Sequence, residues 1–249
     1  MHFAVTWLPY GNATRDLDAD VLPRRKLFAP LCKRFEPGAI GISRGGNWKT
    51  TLTALEPEAD KSNGYEAAAE RFMSARDSWI GVATVREWSR TLPPGSSILD
   101  LGCGHGVPVS QALIEEGFTV YGVDGSSKLL AAFRTRFPGY PAECSSVEES
   151  EFFRRTFDGV VALGLVFLLP AGTQAVVLHK IANALRPGGR FLFTSPEQPV
   201  TWRDALTGRE SISLGRERYQ QILNAASLVL LGEGVDEGDN HYYFSERRL

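Results

Sequence analysis

Cysteines, long apolar runs and net charge are all scarce in this chain of 249 residues. Its three cysteines, Cys32, Cys103 and Cys144, form no C-x-x-C pair that could hold zinc, so we expect no metal site and a reduced, cytoplasmic setting. No run of about 18 apolar residues and no signal-peptide pattern occurs, so no membrane association is expected. The 27 basic and 29 acidic residues give a formal net charge of −2, which disfavours nucleic acid as the partner.

The sequence is nevertheless rich enough in apolar residues, at 43%, to bury a sizeable core. Its first part differs from the rest, because residues 1–60 contain scattered prolines and glycines and show no sustained period of 2 or 3.6. We therefore predict an irregular or poorly ordered extension over residues 1–60 and one folded domain over residues 61–249. The extension has an excess of basic residues, so an RNA-binding arm and a simple flexible tail both stay open.

The folded part alternates short apolar runs with amphipathic stretches, which is typical of βαβ units and a parallel sheet. A first helix is predicted from Tyr65 towards Trp88. Strands are predicted at 98–101, 119–123, 140–144, 159–163, 190–194, 227–231 and 241–245, and helices at 109–116, 127–137, 172–185 and 216–225. This pattern predicts an α/β fold with a doubly wound, mostly parallel seven-stranded sheet, helices on both faces and an antiparallel final hairpin.

A glycine-rich turn follows the first predicted strand, in the segment Ile98-Leu-Asp-Leu-Gly-Cys-Gly-His-Gly106. Glycines at alternate positions let the backbone adopt positive φ and let a ligand approach closely. A dinucleotide fingerprint would need a third glycine at position 107, where this chain has Val107, so a pyrophosphate-containing ligand is disfavoured. Asp124, at the end of the second strand, is placed to accept hydrogen bonds from the two hydroxyls of a ribose.

The glycine-rich turn, the strand-ending Asp124, the segment Phe157–Val161 and the segment Leu185–Arg190 occur in an order that resembles the class I S-adenosylmethionine-dependent methyltransferases. The resemblance covers about residues 65–247. It implies S-adenosylmethionine as cofactor and transfer of its methyl group to a small-molecule acceptor by in-line displacement.

The resemblance also implies a set of cofactor-binding residues. Asp100 would order the turn and reach the cofactor's amino group, Asp124 would hold the ribose, and Gly125 would lie beside the adenine. The adenine loop would be residues 146–148, where Ser146 replaces a familiar aspartate. The full predicted set is Tyr65, Arg76, Asp100, Gly102, Cys103, Gly104, Asp124, Gly125, Ser146, Val147, Glu148 and Leu163.

The acceptor side has fewer signals. Trp202 in the segment Glu197–Gly215 and His105 after the second glycine of the turn are candidates for substrate binding. Phe167 and Leu168 stand where many relatives have histidines, so the loop after the fourth strand contributes apolar walls and no general base. The sequence therefore identifies no catalytic residue, and it leaves the acceptor atom and the oligomeric state open.

Three other functions stay open at this point. The chain could methylate nucleic acid, although no N-P-P-Tyr motif for an extruded base occurs. It could bind S-adenosylmethionine without catalysis and regulate a partner. It could also be a nicotinamide-linked reductase, which shares the fold but needs a different glycine spacing.

Overall fold

A seven-stranded sheet lies at the centre of the part of the chain that the structure describes. The structure is a computed structural model, and it describes residues 60–76 and 79–249. Its strands are β1 (Ser97–Leu101), β2 (Thr119–Asp124), β3 (Ala142–Cys144), β4 (Phe157–Ala162), β5 (Leu185–Thr194), β6 (Pro199–Arg203), β7 (Glu210–Leu214), β8 (Leu228–Val235) and β9 (His241–Arg247). The main sheet has the order β3-β2-β1-β4-β5-β9-β8. Strands β1 to β5 are parallel, and β9 is antiparallel to both of its neighbours.

Helices cover both faces of this sheet. The described helices are α1 (Tyr65–Ala75), α2 (Val82–Ser89), α3 (Val109–Glu115), α4 (Ser127–Arg136), α5 (Ala171–Ala184) and α6 (Arg216–Ala225), with short 3-10 turns at Phe152–Arg154 and Val166–Leu168. Apolar side chains of α5 and α6 pack on one face of the sheet, and those of α2 and α3 pack on the other. The fold class predicted from the sequence, including the antiparallel final hairpin, is confirmed.

Strand β1 shows why the sequence forms this layered core. All five of its residues are buried, because it lies in the middle of the sheet with helices on both sides. Leu99 and Leu101 point into the cluster formed with α5 and α6, whereas Ile98 points into the cluster formed with α2 and α3. A strand that is buried on both faces needs mostly apolar residues, which Ile98, Leu99 and Leu101 supply, and Asp100 is the charged exception.

The sheet order creates a switch point between β1 and β4. From β1 the chain continues to β2 and β3 on one side, and it then returns to place β4 on the other side of β1. The connections therefore diverge at the carboxyl ends of these two strands. In doubly wound sheets this is the position at which a ligand finds a crevice.

The prediction of one helix from Tyr65 towards Trp88 is wrong. Helix α1 ends at Ala75, and Arg76 has an extended backbone with ψ of 117°. A second helix, α2, begins only at Val82. The helical spacing of Tyr65, Ala69, Phe72 and Arg76 continued by chance into positions 79 and 83, and Trp79 is 57% exposed.

The segment Glu197–Gly215 also differs from the prediction, in which it had no regular structure. Strands β6 and β7 form a separate antiparallel hairpin there, with Trp202 opposite Ser211. In addition, β8 extends to Val235, so the connection to β9 is shorter than the segment 232–240 predicted from the sequence.

The predicted extension over residues 1–60 lies, apart from Asp60, outside the described residues. Among the helices of the described ranges, none is long and apolar enough to cross a membrane.

Candidate functional site

The glycine-rich turn after β1 folds back onto the end of β2. The backbone N–H groups of Gly102 and Cys103 both donate to the carbonyl oxygen of Val123, at 2.8 and 3.1 Å. The next N–H, that of Gly104, donates to the Asp124 carboxylate at 2.8 Å. Gly102 and Gly104 have φ values of 70° and 56°, which L side chains rarely adopt. The turn therefore places glycine backbone with positive φ at the carboxyl end of β1.

Asp124 is held by two backbone donors. One of its carboxylate oxygens accepts from the N–H of Gly104, and the other accepts from the N–H of Ser126 at 2.7 Å. Burial raises the pKa of the Asp124 carboxyl to about 6, although the two hydrogen bonds favour the ionised form. A carboxylate has about four lone-pair positions, so these two bonds leave acceptor capacity for a ligand.

Asp100 lies deeper, at 2% exposure, and accepts a hydrogen bond from the hydroxyl of Ser110. Burial raises the pKa of the Asp100 carboxyl to about 7, and the negative charge of Asp124 adds to the rise. The Ser110 hydrogen bond and the positive charge of Arg76 act in the opposite direction. Two carboxyl groups beside the glycine turn thus titrate near neutral pH, which is typical of functional sites.

Helix α1 packs its aromatic residues over the glycine turn. A Cβ atom on Gly104 would lie 3.2 Å from the Phe72 ring, so this ring rests directly on the turn. Phe72 makes edge-on contacts with Tyr65 and His105, at centroid distances of 5.5 and 5.8 Å. The Arg76 guanidinium lies 5.5 Å from the centre of the same ring.

His105 is buried beside these groups, at 5% exposure. Burial lowers its pKa to about 4, and the positive charges of Arg136 and Arg76 lower it further, so the imidazole is neutral at pH 7. Its Nδ1 atom has no hydrogen-bond partner among the described residues. A buried polar atom without a partner is costly, so it marks a position where a ligand could satisfy it.

A turn over residues 60–64 crosses the site next to Gly125. A Cβ atom on Gly125 would lie 2.2 Å from the carbonyl oxygen of Lys61, so only glycine fits beneath this backbone. The turn is held by ion pairs of Lys61 with Glu149, at 3.0 Å, and of Asp60 with Arg209, at 2.6 Å. Sequence reasoning placed Gly125 beside the adenine, and the structure covers it with the chain's own backbone.

Helix α1 is also fastened to the start of α4. The Glu66 carboxylate accepts hydrogen bonds from the hydroxyls of Ser126 and Ser127, at 2.7 and 3.1 Å, and from the N–H of Lys128 at 3.1 Å. The turn over residues 60–64 and α1 are therefore anchored close to Asp124. Neither Glu66 nor Phe72 was predicted, although Phe72 lies on the helix face that the spacing indicated.

The loop after β4 and the β6–β7 hairpin close the opposite side. Leu165 lies over the glycine turn, 3.3 Å from the Cβ position of Gly102, and the Phe167 and Trp202 rings are 5.2 Å apart. The Tyr65 hydroxyl donates to Asp204 at 3.1 Å. These contacts, joined by the short chain segments 102–104, 165–167 and 202–204, form a closed loop that we name the contact ring. Its members are Gly102, Leu165, Phe167, Trp202, Asp204, Tyr65, Phe72 and Gly104.

The remaining predicted cofactor residues make their described contacts away from the contact ring. Ser146 caps its own turn by accepting from the N–H of Glu149, whereas Val147 is buried in the core and Glu148 is exposed. Leu163 is buried at the end of β4. Cys103 is buried as well, with its sulfur 2.8 Å from the Cβ position of Gly122.

The structure thus brings Tyr65, Arg76, Asp100, His105 and Asp124 together around the glycine turn and joins Trp202 to them through the contact ring. No group of three or more potential metal ligands occurs in the described part of the chain. Fold and site together define an α/β protein with a glycine turn and two buried carboxyl groups at the switch point of a parallel sheet, where ligands bind in doubly wound folds.

Comparison with known proteins agrees with this class. Residues 98–189 match a family model described as a methyltransferase domain. An uncharacterized methyltransferase of Synechocystis sp. is 31% identical over 114 residues, which are 45% of this chain and 52% of the relative. A ubiquinone biosynthesis O-methyltransferase of Aeromonas salmonicida is 28% identical over 151 residues, 57% of this chain and 62% of the relative. The chain thus spans only about half to three-fifths of the length of these two relatives.

Solved structures resemble the fold at low sequence identity. The CcbJ methyltransferase from Streptomyces caelestis has a TM-score of 0.60 at 14% identity and covers 78% of this chain and 100% of its own. A 1,6-didemethyltoxoflavin-N1-methyltransferase from Burkholderia thailandensis, with 1,6-didemethyltoxoflavin and S-adenosylhomocysteine bound, has a TM-score of 0.56 at 22% identity and covers 74% of this chain and 88% of its own. Residues 98–189 thus form a methyltransferase domain, and the motifs and the sheet order agree with those of the class I S-adenosylmethionine-dependent methyltransferases.

Proposed function

We propose that this protein transfers the methyl group of S-adenosylmethionine to a small, uncharged, planar acceptor. The observation that carries the proposal is the contact ring, which joins the glycine turn to aromatic side chains of α1, of the loop after β4 and of the β6–β7 hairpin. A cofactor lying on the turn would have its reactive end inside this ring. An acceptor would enter from the side of Phe167 and Trp202.

The residues around the turn fit the cofactor. Asp124 has acceptor capacity for the ribose hydroxyls, and Asp100 provides a negative charge for the ammonium group of the methionine part. The adenine would lie towards Ser146, Val147 and Glu148. There the backbone of the turn over residues 60–64 replaces the apolar side chain that many relatives have at the position of Gly125.

The chemistry requires mainly alignment and the exclusion of water. When bound, S-adenosylmethionine supplies a methyl group on a positively charged sulfur; the acceptor's lone pair forms the new bond to carbon as the carbon–sulfur bond breaks. The acceptor's proton leaves to solvent or to a nearby base. We assign no general base to this chain.

Charges on the acceptor side of the ring are already paired. Asp204 accepts from the Tyr65 hydroxyl and from the N–H groups of Leu206 and Thr207, and Arg209 is paired with Asp60. The surfaces of Phe167 and Trp202 are aromatic. Stacking on such surfaces favours flat, uncharged rings such as phenols or aromatic amines over phosphate-bearing or strongly charged molecules.

The cysteines suit a reducing, cytoplasmic setting for this activity. Cys103 and Cys144 are free thiols in the structure, and neither is near a partner that would form a disulfide within the described residues.

Methyl transfer can be tested directly. The protein is incubated with methyl-labelled S-adenosylmethionine and, separately, with catechols, phenols, aromatic amines, small thiols and a short RNA. We expect label in one of the aromatic classes and none in RNA. Trp202→Ala should raise the KM of the acceptor while leaving S-adenosylhomocysteine binding unchanged, whereas Asp124→Ala should do the reverse.

Two other functions have distinct outcomes in the same assay. Labelled RNA with a steep dependence on salt would mean a nucleic-acid methyltransferase. Tight cofactor binding without transfer to any class would support a regulatory module that binds S-adenosylmethionine and does not catalyse.

A further inference from the structure

Gln174 is a fully buried amide whose polar atoms are all engaged. It lies in the first turn of α5 and is 0% exposed. Its Nε2 group donates to the carbonyl oxygens of Leu169 and Ile212, at 2.9 and 2.8 Å, and its Oε1 accepts from the Tyr219 hydroxyl at 2.8 Å. Glutamine is rarely buried to this degree, and burying it is tolerated only when its polar atoms are satisfied.

The two carbonyl groups that accept from Gln174 belong to different elements of the proposed acceptor side. Leu169 is two residues after Phe167 in the loop that follows β4. Ile212 is on β7 and is paired with Thr201, which is next to Trp202 on β6. One side-chain amide thus joins the element that carries Phe167 to the hairpin that carries Trp202.

A group of buried hydroxyls supports the same connection between the loop after β4 and the β6–β7 hairpin. The Tyr219 hydroxyl lies 2.9 Å from that of Ser195, and it accepts from the N–H of Leu214 at 3.2 Å. The Ser195 hydroxyl also lies 3.2 Å from that of Ser213, which donates to the carbonyl oxygen of Pro196 at 2.7 Å. The network therefore ties β7 to the carboxyl end of β5, with Gln174 as its link to the loop after β4.

We propose that Gln174 is a positioning residue for the acceptor: its amide fixes the distance between Phe167 and Trp202 and so sets the width of the acceptor pocket. The inference rests on the proposed function, because it takes the Phe167–Trp202 side to be the acceptor side. Gln174 itself touches neither the glycine turn nor Asp124 in the contacts described, so cofactor binding should not depend on it.

The substitution Gln174→Leu keeps the approximate volume and removes both donors. Two carbonyl oxygens then lie buried without partners, so the loop and the hairpin are expected to move apart to reach water. Tyr219→Phe is a milder second variant, which removes only the hydroxyl that orients the amide. Gln220→Leu, at an exposed position on α6, is the matched control.

The position of Trp202 can be followed by fluorine NMR of protein labelled with 5-fluorotryptophan, with its resonance assigned from Trp202→Phe. We expect Gln174→Leu and, less strongly, Tyr219→Phe to shift or broaden the Trp202 signal while the other tryptophan signals stay in place. Gln220→Leu should leave all signals unchanged. An unmoved Trp202 signal in Gln174→Leu would overturn the proposal.

Kinetics with an acceptor found in the transfer assay give the second readout. We expect Gln174→Leu to raise the acceptor's KM by about fivefold or more, with kcat and the affinity for S-adenosylhomocysteine changed by less than about twofold. An equal loss of cofactor affinity would contradict the proposal, because Gln174 would then support the fold in general. If wild-type protein binds the cofactor but methylates nothing, the proposed function fails, and the Trp202 signal still decides the role of Gln174.

Discussion

At the scale of single residues, Asp100 and Asp124 dominate the electrostatics of the site. Both carboxyl groups are buried beside the glycine turn, and burial raises their pKa values to about 7 and about 6. A ligand that brings a positive charge to this position favours their ionised forms. The affinity for such a ligand must then depend on pH in the range where these groups titrate.

The raised pKa values predict that the affinity for S-adenosylmethionine and the stability of the ligand-free protein change in opposite directions with pH. Because S-adenosylmethionine is cationic at its ammonium and sulfonium groups, its affinity should rise roughly tenfold or more from pH 5.5 to 8 as Asp100 loses its proton. The ligand-free protein should become less stable over the same range, because a carboxyl whose pKa is raised by folding contributes stability that is lost as pH rises. Calorimetric titration and thermal unfolding at several pH values measure the two trends.

Asp100→Asn is the control for this prediction. Asparagine has a similar shape and does not titrate, so the part of the pH dependence above about pH 6 should disappear in this variant. A wild-type affinity that is constant from pH 5.5 to 8 would contradict the assignment of Asp100 to the cofactor's ammonium group.

Asp124 carries a second residue-scale prediction. Asp124→Ala should weaken S-adenosylhomocysteine binding by about 1.5–3 kcal/mol, because charged hydrogen bonds to the ribose and the support of the Gly104 N–H are both lost. Asp124→Asn should lie in between, and Glu87→Ala, on an exposed part of α2, should change nothing. An unchanged affinity of Asp124→Ala for S-adenosylhomocysteine would contradict the assignment of Asp124 to the ribose.

The sequence allowed the residues of the glycine turn and Asp124 to be predicted because each lies within a few positions of a strongly apolar strand. Glu66, Phe72 and Gln174 could not be predicted in the same way. Their partners are Ser126, Gly104 and Ile212, which are far away in the sequence and come close only after the helices have packed.

At the scale of elements, the turn over residues 60–64 places its backbone directly against Gly125. The carbonyl oxygen of Lys61 lies where a side chain at position 125 would begin. Ion pairs of Lys61 and Asp60 hold the turn in place. Displacing the turn should therefore disturb the side of the site nearest to Gly125.

Gly125→Ala tests this arrangement. The added methyl group would clash with Lys61, so we expect a loss of about 1–3 kcal/mol in the free energy of unfolding and weaker S-adenosylhomocysteine binding. Gly172→Ala is the matched control, because a Cβ at Gly172 meets no atom within 4 Å and alanine favours the helix. Equal stability of Gly125→Ala and wild type in denaturant unfolding would show that the turn does not cover Gly125.

The elements differ in how well their sequences predict them. Strands β1 and β4 were predicted because they are rich in apolar residues and buried along almost their whole length. Strand β2 was predicted from the apolar residues Val120, Tyr121 and Val123 at its centre. The β6–β7 hairpin was missed because the buried side of β7 consists of Ser211 and Ser213, which are 0% and 2% exposed. In most strands with one buried face the apolar residues are buried and the polar residues are exposed. Here the apolar Ile212 and Leu214 are only half-buried. A strand whose buried side chains are polar therefore cannot be recognised from its hydrophobic pattern.

At the scale of the whole molecule, the two halves of the site have different origins. The glycine turn and Asp124 lie within residues 98–189, the segment that matches the methyltransferase domain. Tyr65, Phe72, Trp202 and Asp204 lie outside it, on α1 and on the β6–β7 hairpin. The proposed cofactor side therefore lies in the part that the family model matches, whereas the proposed acceptor side is inferred from this chain's own contacts.

The central claim is that the crevice above β1 and β4 takes an adenosyl cofactor. Calorimetric titration of the full chain with S-adenosylhomocysteine, S-adenosylmethionine and NADH tests it most directly. We predict micromolar or tighter binding of both adenosyl ligands at about one per chain, and no heat with NADH. Binding of NADH, or no binding of either adenosyl ligand at pH 8, would contradict the account.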